Sequence, residues 1–235
     1  MLDLKEEENL FTLGYRFVGG LDEAGRGPLA GPVVAACVIC ERDHKINMEI
    51  LKDVKDSKKL TEKKREKLFG LIQENTYEVG VGTCDQETID RINIFQASLL
   101  AMKKAIGVLK NKPEFIMLDG KFPIPNTSLK QRAIIGGDNL VFSIAAASII
   151  AKVTRDRLMI ANHKKYPEYG FDKHKGYGTK FHMEQLAKHG PCPLHRKSFE
   201  PIRKFYNNTD NILKSPLILV NNKKINYNNS VIKEN

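Results

Sequence analysis

The sequence predicts an α/β fold built on a mixed sheet flanked by helices. Three observations predict it. Short Val/Ile-rich runs alternate with longer segments whose apolar residues recur at helical spacing. The first runs follow one another closely, as antiparallel partners do, whereas the later ones are separated by helices, as parallel crossovers require. Glycine pairs and Asp-Gly steps punctuate the strand ends. At 235 residues the chain can bury a sizeable core without staples.

Taken in order, residues 1–14 are acidic and polar and read as a short lead-in helix or arm. Residues 15–22 and 32–40 read as two strands joined by a glycine-rich turn. Residues 52–67 are strongly charged with basic residues in excess, and Thr61 suits the cap of a helix running to about Gln73. Residues 76–83 alternate like a third strand. Residues 94–110 carry Leu99, Met102 and Ile106 at helical spacing. Residues 114–118 form a buried-type strand ending on Asp119-Gly120, and the proline-rich 121–126 must be a loop. Residues 132–135 make a short fifth strand that closes at Gly136-Gly137-Asp138. Residues 143–164 form a long helix whose small-residue start lets it approach the sheet closely.

The predicted organisation is therefore an arm (1–14), a main domain (15–165), a Gly-, Lys- and His-rich appendage (166–206) and an Asn/Lys-rich tail (207–235). The tail is expected to be loosely held, with its apolar island at 216–220 docked on the body. No internal repeat is found.

Net charge is +10 and the pI is about 9.3, which favours polyanionic partners, nucleic acid first. Cys37 and Cys40 form one C-x-x-C with no second pair. Three apart on a strand, they point to opposite faces and read as reduced core residues. No signal peptide and no apolar run of membrane-spanning length is present, so a cytoplasmic protein with no membrane partner is expected. No apolar surface stripe asks for a subunit, so a monomer is expected. The spacings of His163, His174, His182, His189 and His195 fit no zinc motif, and these residues are expected to be structural or to touch nucleic acid.

The chemistry gathers around residues 18–34, VGGLDEAGRGPLAGPVV. A strand delivers Asp22 and Glu23 into a turn, Gly25-Arg26-Gly27, whose amides and guanidinium suit phosphate or sugar. Two adjacent acids at the end of a core strand are costly unless paired or bound to a cation. Asp119 also follows a strand, and Asp138 precedes the long helix. If the strands of Asp22 and Asp119 are parallel neighbours, all four acids meet at one sheet edge. Such an oxygen-rich set selects Mg²⁺ or Mn²⁺. Two ions about 4 Å apart would suit in-line displacement at a phosphodiester. An Asp at a strand end is usually only a turn residue. The combination of Asp22-Glu23 with the Gly-Arg-Gly turn is what carries weight.

DEAGRGPLAGPVVAA resembles the N-terminal signature of ribonuclease HII, the type 2 ribonuclease H family. DSKKL (56–60), IDRINIFQASLLAM (89–102), LDG (118–120), GGD with AAASIIAKVTRD (136–156), and HKGYGTKFH with HRKSF (174–199) follow in family order. Type 3 relatives usually carry a lysine where Arg26 stands. The resemblance implies a ribonuclease H-like fold, a mixed five-stranded sheet flanked by helices with a small C-terminal helical appendage. It implies endonucleolytic hydrolysis at ribonucleotides within duplexes, on their 5′ side, leaving a 5′-phosphate and a 3′-hydroxyl. It implies Asp22, Glu23, Asp119 and Asp138 as the metal-binding catalytic acids of a two-metal site. It implies Gly25, Arg26 and Gly27 as readers of the ribonucleotide 2′-hydroxyl, and Tyr177 as the residue packing on the deoxyribose beyond the junction. Main-chain groups without Cβ atoms can approach a sugar closely, which agrees with that role.

Ser57, Lys58 and Lys59 precede a helix start and are expected to hold phosphates, with Ser148 and Lys152 on one helix face. Arg155, Lys175, Arg196 and Lys197 are weaker candidates of the same kind. The implied partners are RNA/DNA hybrid and ribonucleotide-containing duplex DNA, in ribonucleotide and primer removal. For the tail, DNA, a replication clamp or no partner are all open. Rivals are a type 3-like enzyme, a DNA nuclease on the same fold and a non-catalytic RNA binder; acids at strand ends argue against the last.

Overall fold

The computed structural model describes residues 2–213, 218–220 and 223–225. Five strands form one sheet: β1 (Phe17–Ala24), β2 (Val33–Glu41), β3 (Glu78–Cys84), β4 (Phe115–Asp119) and β5 (Lys130–Ile134). Their order is β3-β2-β1-β4-β5. The first three pair antiparallel, and β1–β4 and β4–β5 pair parallel, the mixed sheet that the spacing predicts. The helices are α1 (Lys5–Thr12), α2 (Met48–Leu51), α3 (Glu62–Asn75), α4 (Gln86–Gly107), α5 (Phe142–His163), α6 (Phe171–His174), α7 (Lys180–His189) and α8 (Ile202–Leu213). A further pair, β6 (Ile218–Val220) and β7 (Lys223–Ile225), lies in the tail. The remainder of the tail, including Pro216, lies outside the described residues. No described helix is long and apolar enough to cross a membrane.

The sheet is buried on both faces because every residue of β2 is apolar except its last. One face packs Leu21, Cys37, Ile39 and Leu118 under α4. The other packs Ala36, Val38 and Cys40 under α3 and α5. Cys37 and Cys40 thus occupy opposite faces as predicted, both as buried free thiols. The small-residue start of α5 does what its composition suggests. At Gly20 the helix lies so close that a Cβ would come 2.2 Å from the Ser143 backbone carbon. This fixes α5 against the strand that carries Asp22.

One element differs from the sequence expectation, and the arm takes the first of the two forms that the sequence offers. The helix expected to begin near Ile94 begins at Gln86, capped by Asp85, whose side chain accepts from the Thr88 N–H. Asn93 (φ 63°, ψ 164°) breaks its regularity, and the Asn93 side chain restarts it by accepting from the Gln96 N–H. The periodic stretch visible in the sequence is the second of these two segments. The arm is a helix packed against the body, with Glu7 fully buried.

The appendage is stitched to the β1–β2 connection by main-chain hydrogen bonds. Leu29 N–H donates to Gly176 O at 2.9 Å, Gly31 N–H to Leu194 O at 2.8 Å, and Arg196 N–H to Leu29 O at 2.9 Å. The Gly-Arg-Gly turn and the Tyr177 loop are therefore held together by backbone.

Candidate active site

Register brings the first two acids together. Leu21 pairs with Leu118 in the parallel ladder, so Asp22 and Asp119 stand side by side one step on and share the α5 face. Asp138 arrives from a 3₁₀ turn (Gly137–Asn139) just before α5. Asp119 anchors that turn, its Oδ1 accepting from Gly137 N–H at 2.8 Å. The result is a cluster in which one oxygen from each of Asp22, Asp119 and Asp138 lies within 4.8 Å of the others. Glu23 lies beside it, its carboxylate 3.1 Å from the Arg26 guanidinium.

The electrostatics are those of crowded acids. Burial first, then the charges of Glu23, Asp119 and Asp138, raise the Asp22 carboxyl well above its ordinary value. Burial and the charges of Asp56 and Asp119 raise Asp138. Burial also raises Glu23, with Arg26 opposing. Lys58 partly offsets the cluster, its Nζ 3.6 Å from Asp138 Oδ2. Burial works against the Lys58 ammonium, yet Asp138, Asp22, Asp56 and Asp119 together raise it.

A cavity of about 430 Å³ opens beside the acids, lined by Asp22, Glu23, Asp119, the turn Gly25–Gly27, Ser57, Lys58, Lys152 and Tyr177. Most of the predicted site residues thus face one space. A Cβ at Gly27 would lie 3.8 Å from the Tyr177 ring, so the turn and the aromatic face each other. Lys152 Nζ sits 5.9 Å from the Tyr177 ring centroid and donates to Asp156 at 2.8 Å. Ser57, Lys58 and Lys59 form a 3₁₀ turn whose cap, Asp56, accepts from Lys58 N–H.

Some predicted residues lie elsewhere. Ser148 is buried, and its hydroxyl accepts from Ser57 N–H at 3.3 Å and donates to Ala145 O. It steadies the Ser57 turn instead of facing the cavity. Lys59 points away from the cavity and pairs with the Asn139 side chain.

Arg155 and Arg196, weak candidates for strand contact, are buried cations whose donors go to main-chain carbonyls. Arg155 donates to Pro32, Lys175 and Ala30. Arg196 donates to Gly31, Arg26, Gly25 and Pro32. Gly25 (φ +98°) is required beneath them, since a Cβ there would fall 2.1 Å from Arg155 Nε. The two arginines shape the Gly-Arg-Gly turn from within. Sequence reasoning missed this because an arginine in a basic chain looks like a surface contact. It also missed Asp56, whose signal is the Asp two residues before Lys58, a side-chain cap spacing.

A sequence model of the ribonuclease HII family matches residues 19–202. The chain belongs to that family. Ribonuclease HII of Caldicellulosiruptor bescii is 54% identical over 193 residues, covering 82% of this chain and 91% of that protein. The fold is similar to that of ribonuclease H2 from Pyrococcus horikoshii, with a TM-score of 0.67, 30% identity, and coverage of 83% of this chain and 99% of that one. It is also similar to the ribonuclease HII in a PCNA complex from Archaeoglobus fulgidus, with a TM-score of 0.64, 29% identity, and coverage of 78% and 95%. The fold is the ribonuclease H-like architecture that the sequence implies, and the chain is an endonuclease of the ribonuclease H class. Its Asp22, Asp119 and Asp138 form a candidate metal-binding triad.

Proposed function

We propose that the chain hydrolyses the phosphodiester on the 5′ side of ribonucleotides embedded in duplex DNA and at RNA–DNA junctions, leaving a 5′-phosphate and a 3′-hydroxyl. The observation that carries the reading is the shared cavity, where clustered acids, the Gly-Arg-Gly turn and Tyr177 face one another. Acids alone would fit any nuclease of this fold. A main-chain turn and an aromatic ring that line the same cavity supply a means of telling RNA from DNA.

The donor set fits divalent cations. It is all oxygen, it is crowded, and burial together with neighbouring carboxylate charge raises the carboxyls of Asp22 and Asp138. Asp22, Glu23, Asp119 and Asp138 would hold Mg²⁺ or Mn²⁺ in a two-ion site. Ions held there supply Lewis-acid stabilisation of phosphate charge and a lower pKa for the attacking water.

The chain's own groups do the rest. The amides of Gly25–Gly27 approach the 2′-hydroxyl, a group that is both donor and acceptor. The Tyr177 ring crowds any 2′-hydroxyl on the next sugar, so RNA followed by DNA is preferred. Lys58, Lys152 and Arg26 hold phosphates as point charges beside the acids. Ribonucleotide excision and primer removal, carried out by a cytoplasmic monomer, follow from that specificity.

The test is a DNA duplex carrying one ribonucleotide, with all-DNA and uniform RNA/DNA duplexes alongside, in Mg²⁺ or Mn²⁺. The expected result is a cation-dependent nick on the 5′ side of the ribonucleotide with all-DNA intact. Asp22→Asn and Asp119→Asn should each abolish the nick while duplex binding survives. Normal turnover in both variants would remove the acids from the chemistry, and cleavage of the uniform hybrid alone would make the enzyme type 3-like.

A further inference from the structure

Beneath Tyr177 lies a group of imidazoles that the chemistry does not use. His182, in the first turn of α7, and His195, in the loop before α8, are both buried. His182 Nδ1 lies 2.8 Å from the Tyr177 carbonyl oxygen. His182 Nε2 lies 3.0 Å from His195 Nε2. His195 Nδ1 accepts from the Cys192 N–H at 2.9 Å and also lies 3.2 Å from the Cys192 carbonyl oxygen. His174 stacks on His182 with ring centroids 4.5 Å apart and planes 16° from parallel. Phe171 meets the His182 ring edge-on at 5.5 Å.

With both rings neutral and the Cys192 amide keeping its acceptor, one placement of protons satisfies this chain. A carbonyl can only accept, so His182 Nδ1 carries the hydrogen and its Nε2 is bare. His195 must then donate from Nε2, which leaves its own Nδ1 bare to receive the Cys192 amide. Each ring is neutral, and each end of the pair is tied to main chain. A proton added at His182 Nε2 would set two N–H groups against each other. Burial keeps both rings neutral, lowering each to about 4. Among the described residues no carboxylate hydrogen-bonds to either ring, as one would to a catalytic imidazole paired with an acid.

The Tyr177 carbonyl receives a second donor, Thr179 N–H, at 2.8 Å, and Tyr177 N–H donates to His174 O at 2.9 Å. The backbone on both sides of the tyrosine is therefore pinned, while its ring is 45% exposed in the cavity.

We infer that His182 and His195 form a neutral imidazole strut that fixes the Tyr177 backbone, and so sets where its ring meets the sugar beyond the ribonucleotide. They are specificity-determining positioning residues that act through Tyr177. This inference rests on the junction-reading role proposed above for that tyrosine.

The isosteric amides separate the two ends of the strut. His182→Asn keeps a donor at the Nδ1 position and loses the link to His195. His182→Gln keeps a group at the Nε2 position and loses the donor to Tyr177. The experiment measures kcat/KM on a single-ribonucleotide duplex and on a uniform hybrid, for the full chain, both variants, Tyr177→Ala and the double variant Tyr177→Ala/His182→Gln.

His182→Gln is expected to lower the junction-to-hybrid ratio about tenfold, and His182→Asn to lower it by about threefold or less. In the Tyr177→Ala background, His182→Gln should change the ratio no further, the non-additivity of residues acting through one group. His195→Asn, which keeps the acceptor for Cys192 and drops the donor to His182, should lower the ratio about threefold and should not change it in the Tyr177→Ala background, so it carries the test if His182→Gln does not fold. Equal losses on both substrates would mean a merely structural role and overturn the strut. So would a full His182→Gln effect persisting without the Tyr177 ring. An unchanged ratio in Tyr177→Ala would instead remove the junction-reading role itself, and the strut with it.

Discussion

Asp22 sits at the centre of the site's electrostatics. Its carboxyl titrates higher in the folded chain than in the unfolded one, so the folded state binds more protons between the two values. Stability therefore falls as pH rises through that window, and above it the ionised Asp22 is a net cost. Asp22→Asn removes the cost. Its melting temperature without divalent ions should exceed that of the parent, each kcal/mol recovered appearing as about 2–4 °C in a domain of this size. Added Mn²⁺ should raise the parent more than the variant, since only the parent keeps the full acid set. Thermal melts in chelator and in Mn²⁺ check both, and a lower cation-free melting temperature for Asp22→Asn would contradict the sign. The acids were legible in the sequence because each stands at the far end of an apolar run or after a glycine pair, although the strands extend through Asp22, Glu23 and Asp119. Arg155 and Arg196 were not, because only the fold reveals that carbonyls surround them.

Among the elements, α5 carries the largest hidden dependence. Its cap residue, Val141, offers no side-chain acceptor. The acceptor comes instead from α1, whose Glu7 Oε1 takes the Ser143 N–H at 2.8 Å. Burial raises the Glu7 carboxyl, so its stabilising role is as an acceptor more than as a charge. Glu7→Ala should cost about 1–2 kcal/mol, in the range of lost caps, whereas Glu7→Gln keeps the acceptor and should stay near the parent. Urea titration of the three proteins checks it. In sequence, Glu7 is one of three consecutive glutamates and looks like solvated helix surface. The same blindness to tertiary partners hid the first segment of α4, whose cap at Asp85 was readable but whose apolar repeat was too sparse. The sequence left the parallel pairing of β1 and β4 as the condition for the acids to meet, and the ladder supplies it.

For the molecule as a whole, charge and shape act together. The net charge of +10 coexists with an acidic cluster, so on the proposed function a duplex would be drawn in by the surface and met by the acids at one place. Binding should weaken steeply with salt, and Lys58→Ala, which removes one exposed ammonium beside Asp138, should reduce the slope of log K against log salt by about 1. Duplex affinities measured across a salt series check it, and an unchanged slope would place Lys58 off the phosphates. The main-chain stitching of residues 29–31 to 176 and 194 makes the appendage, through Tyr177, one wall of the cavity beside the acids.

The close approach at Gly20 has an outcome for how this enzyme tolerates change. Strand and helix touch backbone to backbone there, two residues before Asp22, with no side chain between to absorb displacement. Any larger residue at position 20 must push α5 away from β1, moving Asp22 and Asp138 apart because one rides on each side of the gap. In a map of mutational sensitivity, a position that never meets the substrate would therefore score with the acids themselves.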